Sequence, residues 1–227
     1  MAGPLVMAEP LDPTWIVHHG DDLIALNKPS GLLCQPGLGP ALVDSLITRV
    51  QHHWPQAQLV HRLDRDTSGL ILVALTPELH RALSRLFAER QVLKRYVADV
   101  HGVPLEAQGL IELPIAKRQH RPPLYGVDSA GKPCITGWRL LEVIRPTGQN
   151  SALSRLELEP RTGRSHQLRV HLRAIGHPIV GDPLYGEQAA GGSERLHLHA
   201  CVLQLHHPLT CRTMLLEAPV PFQLSCR

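Results

Sequence analysis

The sequence predicts an α+β protein, a mixed and largely antiparallel central sheet flanked by a few helices. Three observations carry that expectation. Segments with the two-residue alternation of strands outnumber segments with helical spacing. Strands and helices do not alternate regularly, as a parallel α/β sheet would require. A chain of 227 residues with 43% hydrophobic content suffices for one substantial core, or two fused subdomains, but not for a string of modules.

The elements follow in order. Residues 1–14 hold three prolines and little pattern, and are expected to form a flexible N-terminal arm. Residues 15–227 are expected to form one domain of two fused subdomains. WIVHH (15–19) and LIALN (23–27) read as two strands joined by a turn at Gly20-Asp21-Asp22. NKPSGLLCQPG (27–37) is a loop rich in Pro and Gly that carries one lysine, Lys28. Leu42, Leu46, Ile47, Val50 and Trp54 stand at helical spacing before Pro55, which predicts a helix over 41–54. A short strand should end near His61. The strand LILVAL (70–75) follows a polar stretch, HRLDRDTSG (61–69). Thr76-Pro77-Glu78 is a cap, a first-turn proline and a first-turn acid, so a helix should run to about Gln91 and bury Leu79, Leu83, Leu86 and Phe87. VLKRYVADVHG (92–102) alternates as a strand, and further strands are expected at 110–116, 133–144 and 152–159. RTGRSHQLRVHLRAIG (161–176) reads as a loop feeding a short helix closed by Gly176. The segments 196–207 and 213–218 again read as strands.

Composition narrows the classes. The net charge is +3, but it is built from 19 arginines against 4 lysines. Arginine suits bidentate phosphate binding and stacking on flat π surfaces. A GC-rich genome would give the same bias. Five cysteines, at 34, 134, 201, 211 and 226, are widely spaced and form no CxxC pair. That argues against a disulfide framework and fits a reducing cytoplasm. The N-terminus lacks the basic and apolar regions of a signal peptide, and no run reaches the length of a membrane span.

Several chemistries lose their signatures. No GxSxG, GxxxxGK[ST] or GxGxxG stands in a strand-to-helix setting. Asp64 and Asp66 form a DxD that could take a divalent ion, but Arg62 and Arg65 flank Asp64 and favour a carboxylate held ionised by positive neighbours. His197 and His199 share a strand face without a third ligand at recognised spacing. No metal site is expected. The cluster Arg161, Arg164, Ser165, His166, Gln167, Arg169 and Arg173 gathers basic and polar groups around a helix start, a natural anion site, or else a solvated basic face. Tyr96, between Arg95 and Val97 on a strand that also carries Lys94, is either a base-stacking ring or a core tyrosine.

Taken together, HRLDRDTSG (61–69), KRYVADVHG (94–102) and RTGRSHQLRVHLRAIGHPIVGDPLYG (161–186) resemble the RluA-type pseudouridine synthases. NKPSGLLCQPG before them, and LHLHA (196–200) and HHPLT (206–210) after them, fit the same pattern over about residues 15–220. The resemblance implies that fold, with isomerisation of uridine to pseudouridine in structured RNA, and with no cofactor and no metal. It places the family's essential aspartate on Asp64, its basic partner on Arg164 and its uracil-stacking tyrosine on Tyr96. Arg62 falls on the position that can fill the gap left by a flipped nucleotide. His61, Lys94, Arg161, His166 and Arg169 are expected to contact RNA, with Leu168 in the apolar pocket wall. Residues 116–133, rich in basic residues and turns, are expected to touch RNA and help select the site. About 14 residues precede the first strand, too few for the S4-type domain of many relatives. The small branch without that domain implies large-subunit ribosomal RNA, transfer RNA or both as substrate, and a cytoplasmic monomer with no membrane partner. Two other classes stand beside this reading: a non-catalytic RNA-binding protein, and a metal-dependent enzyme using Asp64, Asp66 and the histidines.

Overall fold

A computed structural model describes residues 9–39, 42–120, 123–144, 152–186 and 193–223. The chain divides into two compact units, one built from residues 1–93 and 202–218, the other from 94–201 and 219–227. Strands predominate and pair antiparallel, with three α-helices among the described residues. This is the mixed, mostly antiparallel architecture that the sequence predicts.

In the first unit, strand β1 (Ile16–His19) pairs with β2 (Leu23–Lys28), and β2 pairs with β4 (Ser68–Ala74) from Leu23 opposite Ala74 to Lys28 opposite Gly69. The two-residue β3 (Gln58–Leu59) lies along Val73 and Ala74. All seven residues of β4 are buried, and from Leu70 to Ala74 it is a continuous apolar run, as a strand covered on both faces requires. Helix α1 (Leu46–Gln51) is shorter than the 41–54 expected, and residues 40–41 lie outside the described set. Ser45 and Thr48 form a capping box that starts it late. Helix α2 (Pro77–Ala88) begins where expected, with the Thr76 side chain accepting from Leu79 N. Its Leu79 and Leu83 pack with Leu70, Leu72 and Ala74. Residues 1–8 of the expected arm lie outside the described set. From residue 9 the chain is tied down: Glu9 pairs with Arg49 at 2.7 Å, Leu11 is buried, and Asp12 caps a short 3-10 turn at Pro13–Trp15.

In the second unit, β5 (Leu93–His101), β10 (Leu153–Pro160), β9 (Thr136–Ile144) and β6 (Gln108–Ile111) pair antiparallel in that order, and β7 (Ile115–His120) and β8 (Pro123–Val127) form a separate hairpin. The strand expected at 110–116 is therefore two strands. Pro114, which has no N–H to donate, falls between them. Residues 116–120 and 123–127 of the segment 116–133, which is rich in basic residues and turns, lie in the strands of the β7–β8 hairpin. Helix α3 (Gln167–Ala174) lays Leu168 and Leu172 on the core made by Ala98, Val100, Leu156 and Leu158. It closes at Gly176, whose φ of +83° is the left-handed conformation a helix terminator needs. Strand β11 (Leu198–His206) starts in this unit. Its later residues, from Val202, pair with β12 (Thr213–Glu217) in the first unit.

Candidate active site

The polar stretch 61–67 of the first unit is a loop feeding β4, and its backbone is fastened residue by residue. The consecutive carbonyls of residues 63 to 66 all accept hydrogen bonds: Leu63 from the Cys34 thiol (3.2 Å), Asp64 from Thr67 N (3.2 Å), Arg65 from Lys28 Nζ (2.9 Å) and Gly31 N (3.0 Å), and Asp66 from the Ser30 hydroxyl (2.7 Å). Arg65 Nε donates back to Gly31 O at 3.0 Å. Thr67 and Ser68 are buried, and Gly69, with φ +115°, turns the chain into β4. Asp64 stands half-buried on this rigid arch, and Arg62 is exposed two residues before it.

Sequence reasoning passed over the main support of the arch, Lys28. Its side chain is fully buried, and Nζ donates to the carbonyls of Pro29 (2.8 Å), Leu32 (2.8 Å) and Arg65 (2.9 Å). An ammonium has three hydrogens, and here three carbonyls take them, which is the condition for burying it. The available signal was a lysine set between the apolar run LIAL and a Pro/Gly-rich loop, where a solvated side chain has no reason to stand.

His61, expected to contact RNA, accepts a hydrogen bond at Nε2 from Leu72 N at 3.0 Å, and its ring stacks on Phe87 at 4.5 Å. A ring accepting at Nε2 is neutral and carries its proton on Nδ1. The side chain fills a backbone position of β4 that β3 is too short to reach.

The remaining sequence-assigned residues lie in the second unit. Tyr96, opposite Leu158 on β5, is half-buried and packs on the apolar cluster that contains Leu168. The structure thus brings Tyr96 and Leu168 together. Lys94 is two residues away on the same strand and is half-buried. Arg161 and Arg164 are exposed on the loop before α3. That loop is clamped by Gln167, which the sequence groups with the polar residues of a candidate anion site. Gln167 Oε1 accepts from the Thr162 hydroxyl (2.7 Å) and Arg164 N (3.1 Å), and its Nε2 donates to Ile135 O and Thr136 Oγ1 (both 3.0 Å). Burial pushes the Cys134 thiol up, partly offset by the Arg164 guanidinium beside it.

His166 caps α3 in a left-handed conformation, φ +54°, without a side-chain cap bond. Its Nδ1 lies 2.7 Å from the Tyr185 hydroxyl, which accepts from Tyr125 N at 2.9 Å. Hairpin β7–β8 and α3 flank a cleft of about 260 Å³ lined by Tyr125, Val170, Arg173 and Tyr185.

Arg169, expected to contact RNA, is 2% exposed and grips Asp182 with two bonds, Nε to Oδ2 at 2.8 Å and Nη2 to Oδ1 at 2.7 Å. Asp182 Oδ1 also accepts from Leu184 N and Tyr185 N. The guanidinium lies over the Tyr185 ring, 5.0 Å from its centroid. With its charge matched and its fork occupied, Arg169 fastens the 178–186 segment to α3. Arg173, one turn on, is exposed.

Among the described residues, no group of three His, Cys, Asp or Glu is arranged to hold a metal ion. His197 instead bonds Asp99 at 3.0 Å, which Arg155 holds with two bonds of 2.8 and 3.0 Å, and His199 is buried. No helix of the described residues is long and apolar enough to cross a membrane.

Comparison with known proteins converges on one family. The family model described as RNA pseudouridylate synthase matches residues 22–174. The dual-specificity RNA pseudouridine synthase RluA of Escherichia coli (strain K12) is 45% identical over 216 residues, covering 94% of this chain and 96% of that protein. The structure of human RNA Pseudouridylate Synthase Domain Containing 1 superposes with a TM-score of 0.77 at 30% identity, covering 98% of this chain and 88% of the other. Human RNA Pseudouridylate Synthase Domain Containing 4 gives 0.70 at 25% identity, covering 92% and 89%. The motifs read from the sequence, the antiparallel fold and these matches agree: the chain belongs to the RNA pseudouridylate synthase family and is an RNA pseudouridine synthase.

Proposed function

We propose that this enzyme isomerises uridine in compact stem-loops of large-subunit ribosomal RNA, transfer RNA or both, acting as a monomer, with Asp64 as its essential carboxylate. The fastened arch under Asp64 is the observation that carries the assignment. Four consecutive engaged carbonyls fix the backbone of the half-buried Asp64, and a fixed backbone is what a group acting on a bound nucleotide needs. The dual specificity named for the Escherichia coli relative supports more than one RNA as substrate.

In this reading the target nucleotide leaves its stack, because C1′ and the ring atoms are blocked inside one. Arg62, exposed near Asp64, takes the space the base vacates. Asp64 acts as an ionised carboxylate on the sugar or the ring while the C1′–N1 bond breaks. The uracil turns while held, C5 bonds to C1′, the proton on C5 is released and N1 takes one up, so the product is an isomer of the substrate. Tyr96 stacks on the uracil and helps move that proton, and Leu168 contributes the apolar wall behind it. Arg164 serves as the basic partner that the family pattern sets beside the essential carboxylate. Lys94, Arg161 and the basic hairpin around Lys117 and Arg118 hold phosphates, and His166 contributes a polar contact at the start of α3.

The test follows tritium release from unmodified transfer RNA and ribosomal RNA fragments labelled at uridine C5, with the RNA folded before EDTA is added. Release from at least one of the two RNAs, undiminished by EDTA, is expected. Release from neither RNA would refute the substrate assignment.

A further inference from the structure

A buried thiol holds the residue that precedes Asp64. Cys34 is 4% exposed, and its sulfur contacts one residue twice: it donates to Leu63 O at 3.2 Å and accepts from Leu63 N at 3.3 Å. The Leu63 carbonyl belongs to the peptide bond that joins Leu63 to Asp64. The backbone of Cys34 is itself held by α1, since Cys34 O accepts from Ile47 N at 3.1 Å and the neighbouring Leu33 O accepts from Leu46 N at 2.8 Å. A continuous bonded path therefore runs from the start of α1 through Cys34 to the backbone of Asp64.

We infer that Cys34 is a positioning residue for Asp64, its thiol acting as a two-way clip that sets the angle at which the carboxylate leaves the arch. This inference rests on Asp64 being the catalytic carboxylate. One atom must both donate and accept here, which a protonated thiol or a hydroxyl can do and a methyl cannot. Burial raises the Cys34 thiol and outweighs the bond to Leu63, Lys28 and Arg62, which lower it, so the sulfur keeps the proton it donates. The same burial and protonation make it a poor nucleophile, which fits a structural bond rather than a chemical role. The remaining supports of the arch, Lys28, Ser30 and Gly31, act on residues 65 and 66, after Asp64. Cys34 alone among these supports holds the residue before it. Without the clip the arch is still held downstream, and the protein should fold with Asp64 poorly aimed.

The experiment compares wild type, Cys34→Ser, Cys34→Ala, Cys34→Val and Asp64→Asn. It measures single-turnover tritium release at saturating enzyme, RNA affinity by filter binding, and melting temperature, with rates taken well below melting. Cys34→Ser should release tritium within about 3-fold of wild type. Cys34→Ala should slow it by roughly 10- to 100-fold with RNA affinity within about 2-fold, the scale at which a small misplacement costs rate. Cys34→Val fills the site without making either bond, and should match Cys34→Ala where the smaller side chain impairs folding. A merely structural cysteine would lower the melting temperature and leave the rate of the folded enzyme alone, and that result overturns the inference. Equal loss in the Ser and Ala variants overturns it too, because the hydroxyl restores both bonds. Turnover by Asp64→Asn would instead strike the assignment of Asp64 on which the inference rests.

Discussion

Replacing Lys28 by methionine should unsettle the Asp64 arch more than any surface change, and its size follows from the hydrogen-bond inventory. Methionine has similar length and no donor. The carbonyls of Pro29, Leu32 and Arg65 would each lose their ammonium partner in a fully buried site. A hydrogen bond to a charged group contributes about 1.5–3 kcal/mol, so three amount to roughly 4.5–9 kcal/mol. Against this stands the cost of taking an ammonium out of water, several kcal/mol, which the variant no longer bears. The net loss is about 3 kcal/mol by that difference. For a chain of this size each kcal/mol moves the melting temperature by about 2–4 °C, so a fall of roughly 6–12 °C is expected. Because one of the three carbonyls belongs to the residue after Asp64, turnover by the folded fraction should also drop. Calorimetry paired with tritium release well below the melting point measures both. A melting temperature within about 2 °C of wild type with an unchanged rate would refute the reasoning, since the wild-type values could not survive if those bonds organise the loop.

Asp182→Asn should destabilise the second unit by about 3–5 kcal/mol, because it leaves the Arg169 guanidinium buried without a counter-charge. RNA affinity measured well below melting should hardly change; weaker binding without a change in melting would return Arg169 to the RNA surface. His171 is buried between Thr136 Oγ1 and Leu113 O, and burial holds it below its ordinary value of 6.5. The unfolded chain therefore binds a proton as pH falls through 6.5 while the folded one does not, so stability should be lost on that descent, by up to about 1.4 kcal/mol per pH unit. Urea titrations in that pH range would show it, and a flat profile would mean that His171 is as readily protonated folded as unfolded. Arg62→Ala should leave cooperative unfolding intact and weaken RNA binding, flattening the salt dependence by about 0.7–0.9 in the log-log slope if the guanidinium meets one phosphate. Loss of cooperative unfolding in that variant would mark Arg62 as structural instead.

Local chemistry made several elements legible. Thr76, Pro77 and Glu78 announced α2, and Gly176 announced the end of α3, because caps and terminators act within one turn of chain. The family was legible for another reason: three ordered motifs spread along the chain are hard to meet by chance. What stayed hidden depended on partners distant in sequence. The spacing of Arg169 and Arg173 placed both on one helix face, but only the fold brings Asp182 to Arg169 and leaves Arg173 exposed. Lys28 looked like a loop lysine because the carbonyl of Arg65, 37 residues on, is invisible in the sequence. His61 sat among charged residues and took their reading, while its ring was accepting from the backbone of Leu72. The β7–β8 hairpin was obscured because basic residues and prolines broke the apolar alternation that marks a strand.

The most direct test of the account is Asp64→Asn, which changes one oxygen of the carboxylate to an amide and leaves the bonds of the arch in place. Purified wild type and variant are given the same C5-tritiated RNA at saturating enzyme, with binding measured alongside. The account predicts that the variant binds RNA with wild-type affinity and releases no tritium above background. Turnover by the variant at anything near the wild-type rate would contradict it, and would move the chemistry away from Asp64.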